Sequence, residues 1–172
     1  MNESSRQGYD GRAVANFVLD YCDQCGRPVT NLSLQKIVYF CHAWSLTTLS
    51  MPLVRHKFEA WKHGPVLQYL YREFREYDDR PIQARARRID PATGTKVKVE
   101  YRFDSQTLRL LRQVVEFYSR LSAYDLVILT HVERGPWDKV WNHGGTVNPG
   151  MKIDDDEIAR FYATISAPFV AQ

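Results

Sequence analysis

Long apolar runs are missing from this 172-residue chain. No stretch approaches the roughly 18–20 apolar residues that a membrane span needs, so no membrane segment is expected. The opening, MNESSRQGYDGR, is polar and has no apolar core, so it does not read as a secretory signal. Only three cysteines are present, an odd number without dense spacing. That excludes a disulfide framework and fits a reducing cytoplasm. A strong charge of one sign is lacking too: the formal net charge is +3, which does not by itself imply a nucleic-acid partner. What is present is ordinary for a globular protein, 44% hydrophobic and 25% charged residues, which argues against disorder. The length suits one compact domain rather than two.

Complete catalytic and metal motifs are also missing. The sequence has no GxSxG, no HExxH and no GK[ST] phosphate loop. The glycine-rich NHGGTVNPG lacks the flanking strand and helix of a phosphate cradle. Cys22-x-x-Cys25 puts two sulfurs on one helical face, but zinc needs about four ligands and no second pair follows. Both cysteines lie on or beside an apolar stripe, where a thiol packs as a small hydrophobe. No metal, cofactor or enzymatic activity is therefore expected.

Apolar periodicity predicts a mainly α fold, one compact helical domain with a small antiparallel β-hairpin inserted at about 82–103. A first helix starts near Asp10, buries Val14, Phe17, Val18 and Tyr21, and stops before Gly26, with Pro28 blocking continuation. A second, Leu34 to Leu46, capped by Asn31 or Ser33, is apolar over most of its circumference and so central. The stretch VRHKFEAW suggests a short extended segment ending at His63-Gly64-Pro65, with a third helix from about Val66 to Tyr77. Asp104 or Ser105 starts a helix over about 106–121. Ser122 caps the next, AYDLVILTHVE, whose consecutive Leu126 to Leu129 predict a helix buried all round. Pro136 suits the first turn of a short helix in GPWDKVWN. Gly144 to Gly150 reads as a loop. Asp154 with Glu157 resembles a capping box before a last helix carrying Ile158, Phe161 and Tyr162. Residues 1–9 and 166–172 read as tails around a domain at 10–165.

The hairpin is the one electrostatic asymmetry. Val97, Val99, Tyr101 and Phe103 alternate with Lys96, Lys98, Glu100 and Arg102, a strand with one buried face. IQARARRID pairs with it through the DPATG turn. From Arg80 to Arg102 there are seven basic residues (Arg80, Arg85, Arg87, Arg88, Lys96, Lys98, Arg102) and two acidic ones, Asp90 and Glu100. Arg85, Arg87, Arg88, Lys96 and Lys98 are thus candidates for electrostatic contact. Phosphates would suit them. A solvated face protecting a sheet edge, or an acidic protein partner, is favoured, because no aromatic residues interleave on the outward face.

Two histidine–tryptophan clusters stand out, AWKHGPV (Ala60 to Val66) and THVERGPW (Thr130 to Trp137). Tryptophans beside rigid Gly-Pro turns serve equally as interface anchors or as lids on a core. His131, on an apolar helix, reads as a buried, hydrogen-bonded histidine rather than a catalytic base. His63 reads as accessible.

Taken in order, NLSLQKIVYFCHAW, FEAWKHGPV with Tyr69 and LYREF after it, and LTHVERGPW resemble the motifs of the Panacea-domain family, the SocA-like or phage-associated GepA-like proteins. The resemblance covers about residues 12–165. It implies a compact helical domain with a small β element, and an antitoxin of a bacterial or phage toxin–antitoxin system that binds and neutralises a toxin encoded beside it. At least one family member delivers its toxin to the ClpXP protease, so a proteolytic-adaptor role is an alternative. An operon regulator that binds nucleic acid through the basic hairpin is another. By motif, Leu34, Gln35, Lys36, Tyr39, Ala60, Trp61, Gly64, Pro65, Val66, His131, Pro136 and Trp137 are family positions, either toxin contacts or scaffold. Trp61, Lys62, His63, Gly64, Pro65, His131, Pro136 and Trp137 are the candidate partner-binding residues.

Overall fold

A computed structural model describes residues 7–142 and 151–170. The loop expected at Gly144 to Gly150, with His143, lies outside them. Among the described residues the fold is mainly α, with seven helices and two small antiparallel hairpins.

Helix α2 (Asn31–Thr48) is the axis of the domain. It packs against α1 (Gly11–Gln24), α4 (Ser105–Tyr118), α5 (Ala123–Thr130) and α7 (Asp155–Ala163). Thirteen of its eighteen residues are buried, Asn31, Gln35, Lys36 and His42 among them, so this helix has hardly any solvent side. Around it Phe40 stacks on Tyr118 at 4.0 Å, Trp44 Nε1 donates to the Tyr118 hydroxyl at 2.9 Å, and Tyr162 packs edge-on against Tyr39 and Trp44. Each such buried large side chain contributes about 1.5–3 kcal/mol relative to exposure.

Local chemistry sets most helix ends. Asp10, Thr30, Asp104, Ser122 and Asp154 each accept a backbone N–H of the following turn. Thr30, rather than Asn31 or Ser33, caps α2, because Asn31 is already helical and its side chain is used elsewhere. Gly26 ends α1 at φ +64°. At α7 the expected capping box is half made: Asp154 caps the Asp156 N–H, while Glu157 turns outward to Lys139 and Arg160.

Two stretches read as tails are tied to the domain at their inner ends. Tyr9 N donates to Leu53 O, and its ring packs on Phe103. Phe169 packs edge-on against Trp44 at 5.4 Å. A ring contact holds each end, joined at Tyr9 by the main-chain bond.

The segment before α3 differs most from expectation. Glu59–Trp61 (β1) pairs with Gly64–Val66 (β2), in register Glu59↔Val66, Ala60↔Pro65 and Trp61↔Gly64, so Lys62 and His63 form a two-residue turn. Gly64-Pro65 is therefore strand rather than the start of a helix, and α3 begins later, at Gln68, running to Phe74 before a 3-10 turn at Arg75–Tyr77. Proline is tolerated here because β2 has a strand partner on one side alone among the described residues.

The basic arm is present but shorter than expected: Arg87–Ile89 (β3) pairs with Lys96–Lys98 (β4). Val99 is buried, with Val97, Tyr101 and Phe103 half-buried behind it, while Lys96, Lys98, Glu100 and Arg102 face solvent. Asn16 on α1 roots the arm. Fully buried, it donates to Ala86 O (3.0 Å) and Val99 O (2.8 Å) and accepts from Ala86 N (2.7 Å).

Helix α5 is a further correction. It was expected to be buried all round, yet only Leu126 and Thr130 are buried. Tyr124 is 74% exposed, Ile128 49%, Leu129 40% and the following Val132 42%. Apolar composition promises burial only where a neighbouring element arrives, and none of the described elements covers this side.

Candidate functional site: the turn between the two histidine–tryptophan clusters

The two clusters, some seventy residues apart in sequence, meet. Pro136 and Trp137 open α6 (Pro136–Trp141), and Trp137 Nε1 donates to Trp61 O at 2.8 Å, across to β1. His131, the residue that ends α5, stacks flat on Trp137, with ring centroids 3.7 Å apart and planes 5° from parallel. Its Nε2 is buried and has no hydrogen-bond partner among the described residues. Burial, reinforced by the nearby Lys36 charge, holds the His131 imidazole below its ordinary pKa and hence neutral near pH 7. The sequence suggested a hydrogen-bonded histidine; its contact is a ring stack instead.

The polar residues of α2 hold the hairpin from below. Gln35 Oε1 accepts the Leu67 N–H at 3.0 Å, Gln35 Nε2 donates to Asn31 Oδ1, and Asn31 Nδ2 donates to Tyr71 O. Lys36 Nζ donates to Pro65 O at 2.8 Å. The chain comes so close here that a side chain on Gly64 would put its Cβ 2.6 Å from Thr130 Oγ1 and 2.8 Å from Lys36 Cε, and Gly64 takes φ +105°. Glycine is required on both counts.

Lys36 is the chemically unusual group. Its side chain is fully buried, and no carboxylate of the described residues lies within ion-pair distance. Burial without a counter-charge pushes its pKa down to about 7. Above it opens a cavity of about 460 Å³, walled by Leu32, Trp61, Val66 and Tyr71, with Lys62, His63, Arg75, Asp78 and Asp79 also lining it.

The sequence-nominated residues thus separate. Trp61 is half-buried, and Lys62 and His63 are exposed at the turn. Gly64, Pro65, Pro136 and Trp137 are buried. In the arm, Arg85 is spent internally, paired with Asp20 at 2.7 Å and with Asp23 on α1, which removes it from the free basic surface. Arg87, Arg88, Lys96 and Lys98 remain exposed.

Sequence reasoning missed Asn16, and it missed His42. Buried on α2, His42 accepts from the Leu53 and Val54 N–H groups at Nδ1, so Nε2 carries the proton that it donates to Asp155 at 2.9 Å. Polar residues inside a strongly apolar helix were the available signal.

Two of the three thiols, Cys22 and Cys41, are buried core groups, whereas Cys25, expected to pack on or beside the apolar stripe of α1, is exposed where that helix ends. Burial raises Cys22 to about 11 and raises Cys41 as well, disfavouring the thiolate that would bind metal. Among the described residues no group of three His, Cys, Asp or Glu side chains is placed to hold a metal ion. None of their helices is long and apolar enough to cross a membrane.

This arrangement, an all-round-buried helix bearing LQK beneath a short Gly-Pro hairpin that a His/Trp pair clamps from above, lies within the span matched by a known family. The profile described as "Antitoxin SocA-like, Panacea domain" matches residues 34–138. The chain is also 38% identical to antitoxin SocA of Caulobacter vibrioides (strain NA1000 / CB15N) over 153 residues, 88% of this chain and 81% of that protein. It belongs to the SocA-like Panacea-domain family. No solved structure matches it.

Proposed function

We propose that this protein is the antitoxin of a toxin–antitoxin pair and neutralises its cognate toxin by direct binding. Membership of a family described as antitoxins supports the general role. The observation that carries the binding mechanism is the uncovered apolar side of α5, with Tyr124, Ile128, Leu129 and Val132 exposed. A contiguous apolar face on a small folded domain is what a protein partner covers. The turn residues Trp61, Lys62 and His63 line a cavity that Ala123, at the start of α5, also lines. Of the residues nominated from sequence, these three and the exposed edge of His131 are contact candidates. Gly64, Pro65, Pro136 and Trp137 act by holding them.

The test is co-expression with the protein encoded next to this one. The wild-type chain restores growth and co-purifies with its partner. Ile128→Asp, at a site where the side chain costs the fold little, retains its thermal midpoint and loses both. Absence of rescue and of a complex for the wild type would overturn the reading. Delivery to ClpXP rests on the family resemblance alone. Binding of nucleic acid would have to use Arg87, Arg88, Lys96 and Lys98 without Arg85.

A further inference from the structure

We infer that the cavity under the β1–β2 turn receives a carboxylate of the toxin, seated on Lys36, with an adjoining apolar side chain against Trp61 and Tyr71. This rests on the antitoxin reading and specifies the chemistry of the partner segment: an acidic residue next to an apolar one.

Lys36 carries the inference. An ammonium has three N–H donors, and one is used, on Pro65 O. The side chain is fully buried among the described residues, yet it lines an open cavity. A buried cation without an anion is costly, and a positioned anion removes that cost. Asp78 and Asp79 also line the cavity but make no ion pair with Lys36. The rim is of mixed sign, with Lys62, His63 and Arg75 opposing them, so Lys36 is the one deep charge. The walls suit an apolar neighbour: Trp61 packs edge-on against Tyr71 at 5.1 Å, and Leu32 and Val66 close the sides. Lys36 and Trp137 each hold the hairpin backbone by a hydrogen bond, and Gln35 holds the Leu67 N–H that follows it.

A carboxylate on Lys36 favours its charged form. With the free lysine pushed down to about 7, binding takes up a proton, and affinity falls as pH rises above about 7 until the raised value of the complex is passed. His131 at the end of α5 feels the Lys36 charge, and Lys62, His63, Arg75, Asp78 and Asp79 line the same cavity. His131 is already neutral in that range, and any contribution of His63 persists in Lys36→Met.

The experiment uses the full chain with N-acetyl-aspartate α-amide and its neutral counterpart N-acetyl-asparagine amide as probes, read at the Lys36 side-chain carbon and proton resonances from pH 6 to 9. The aspartate is expected to perturb Lys36 and raise its titration midpoint, and the asparagine to do neither. Equal responses to the two probes, or none, overturn the inference. On the same preparations, the neighbour-encoded protein is expected to bind Lys36→Met on the order of thirtyfold or more weakly than wild type at pH 7. Unchanged affinity in that variant would overturn the use of this cavity while leaving the antitoxin reading intact. A wild type that binds no neighbour-encoded protein overturns the antitoxin reading, and with it the inference.

Discussion

Trp137 Nε1 donates to the main-chain carbonyl of Trp61 at 2.8 Å, joining α6 to β1 across seventy-six residues of sequence. The bond closes the hairpin from above, and the stack of His131 on Trp137 backs it. Trp137→Phe keeps a ring against His131 but leaves the Trp61 carbonyl without its donor. The expected loss is about 1–3 kcal/mol of unfolding free energy, plus a small cavity term, measured by urea denaturation. A loss below the noise of that measurement would show that the bond does not hold the hairpin.

Gly64→Ala should be worse than its single methyl suggests. The new Cβ meets Thr130 Oγ1 and Lys36 Cε well inside contact distance, and φ +105° is strained for any L side chain. A destabilisation of more than about 2 kcal/mol is expected. Combining it with Thr130→Ala removes one clash and not the strain, so the double variant should recover part of the loss. Full recovery would mean the dihedral costs nothing.

Asn16→Ala should release the arm rather than melt the domain. Three buried hydrogen bonds to Ala86 and Val99 vanish together, and the backbone groups they served are left unpaired. About 2–4 kcal/mol is expected, with new protease cleavage between residues 84 and 100. Cleavage elsewhere first would show that the arm is rooted by something other than Asn16.

Lys36 sets a pH dependence whose sign can be worked out. Its folded pKa is near 7 and its ordinary value 10.5, so above pH 7 the unfolded chain binds the extra proton. Stability therefore gains from this group as pH rises from about 7, and the gain is lost as pH falls back through that value. The slope approaches about 1.4 kcal/mol per pH unit. Buried Cys22, raised to about 11, opposes this at higher pH, so the window is pH 7 to 9. The difference between wild type and Lys36→Met isolates the effect; parallel curves for the two proteins would remove it.

Local chemistry was legible in the sequence. The caps at Asp10, Asp104, Ser122 and Asp154, the glycine ending α1, proline at the first turn of α6 and the alternation through Val97 and Val99 were all readable, because each depends on residues a few positions apart. So was the centrality of α2, since a helix apolar on most sides has to be enclosed. The order of the three motifs identified the family, and the family match agrees. The hairpin at Glu59–Val66 was hidden because its strands are three residues long, too short for periodicity, and its proline imitates the opening of a helix. Lys36, Gln35, Asn16 and His42 could be seen as polar residues in apolar helices, but apart from Asn31 beside Gln35 their partners lie between 11 and 113 positions away. The exposure of α5 was a tertiary decision altogether. Composition makes Leu126 to Leu129 uniformly apolar, but burial is a property of two surfaces, and the described chain supplies only one of them there.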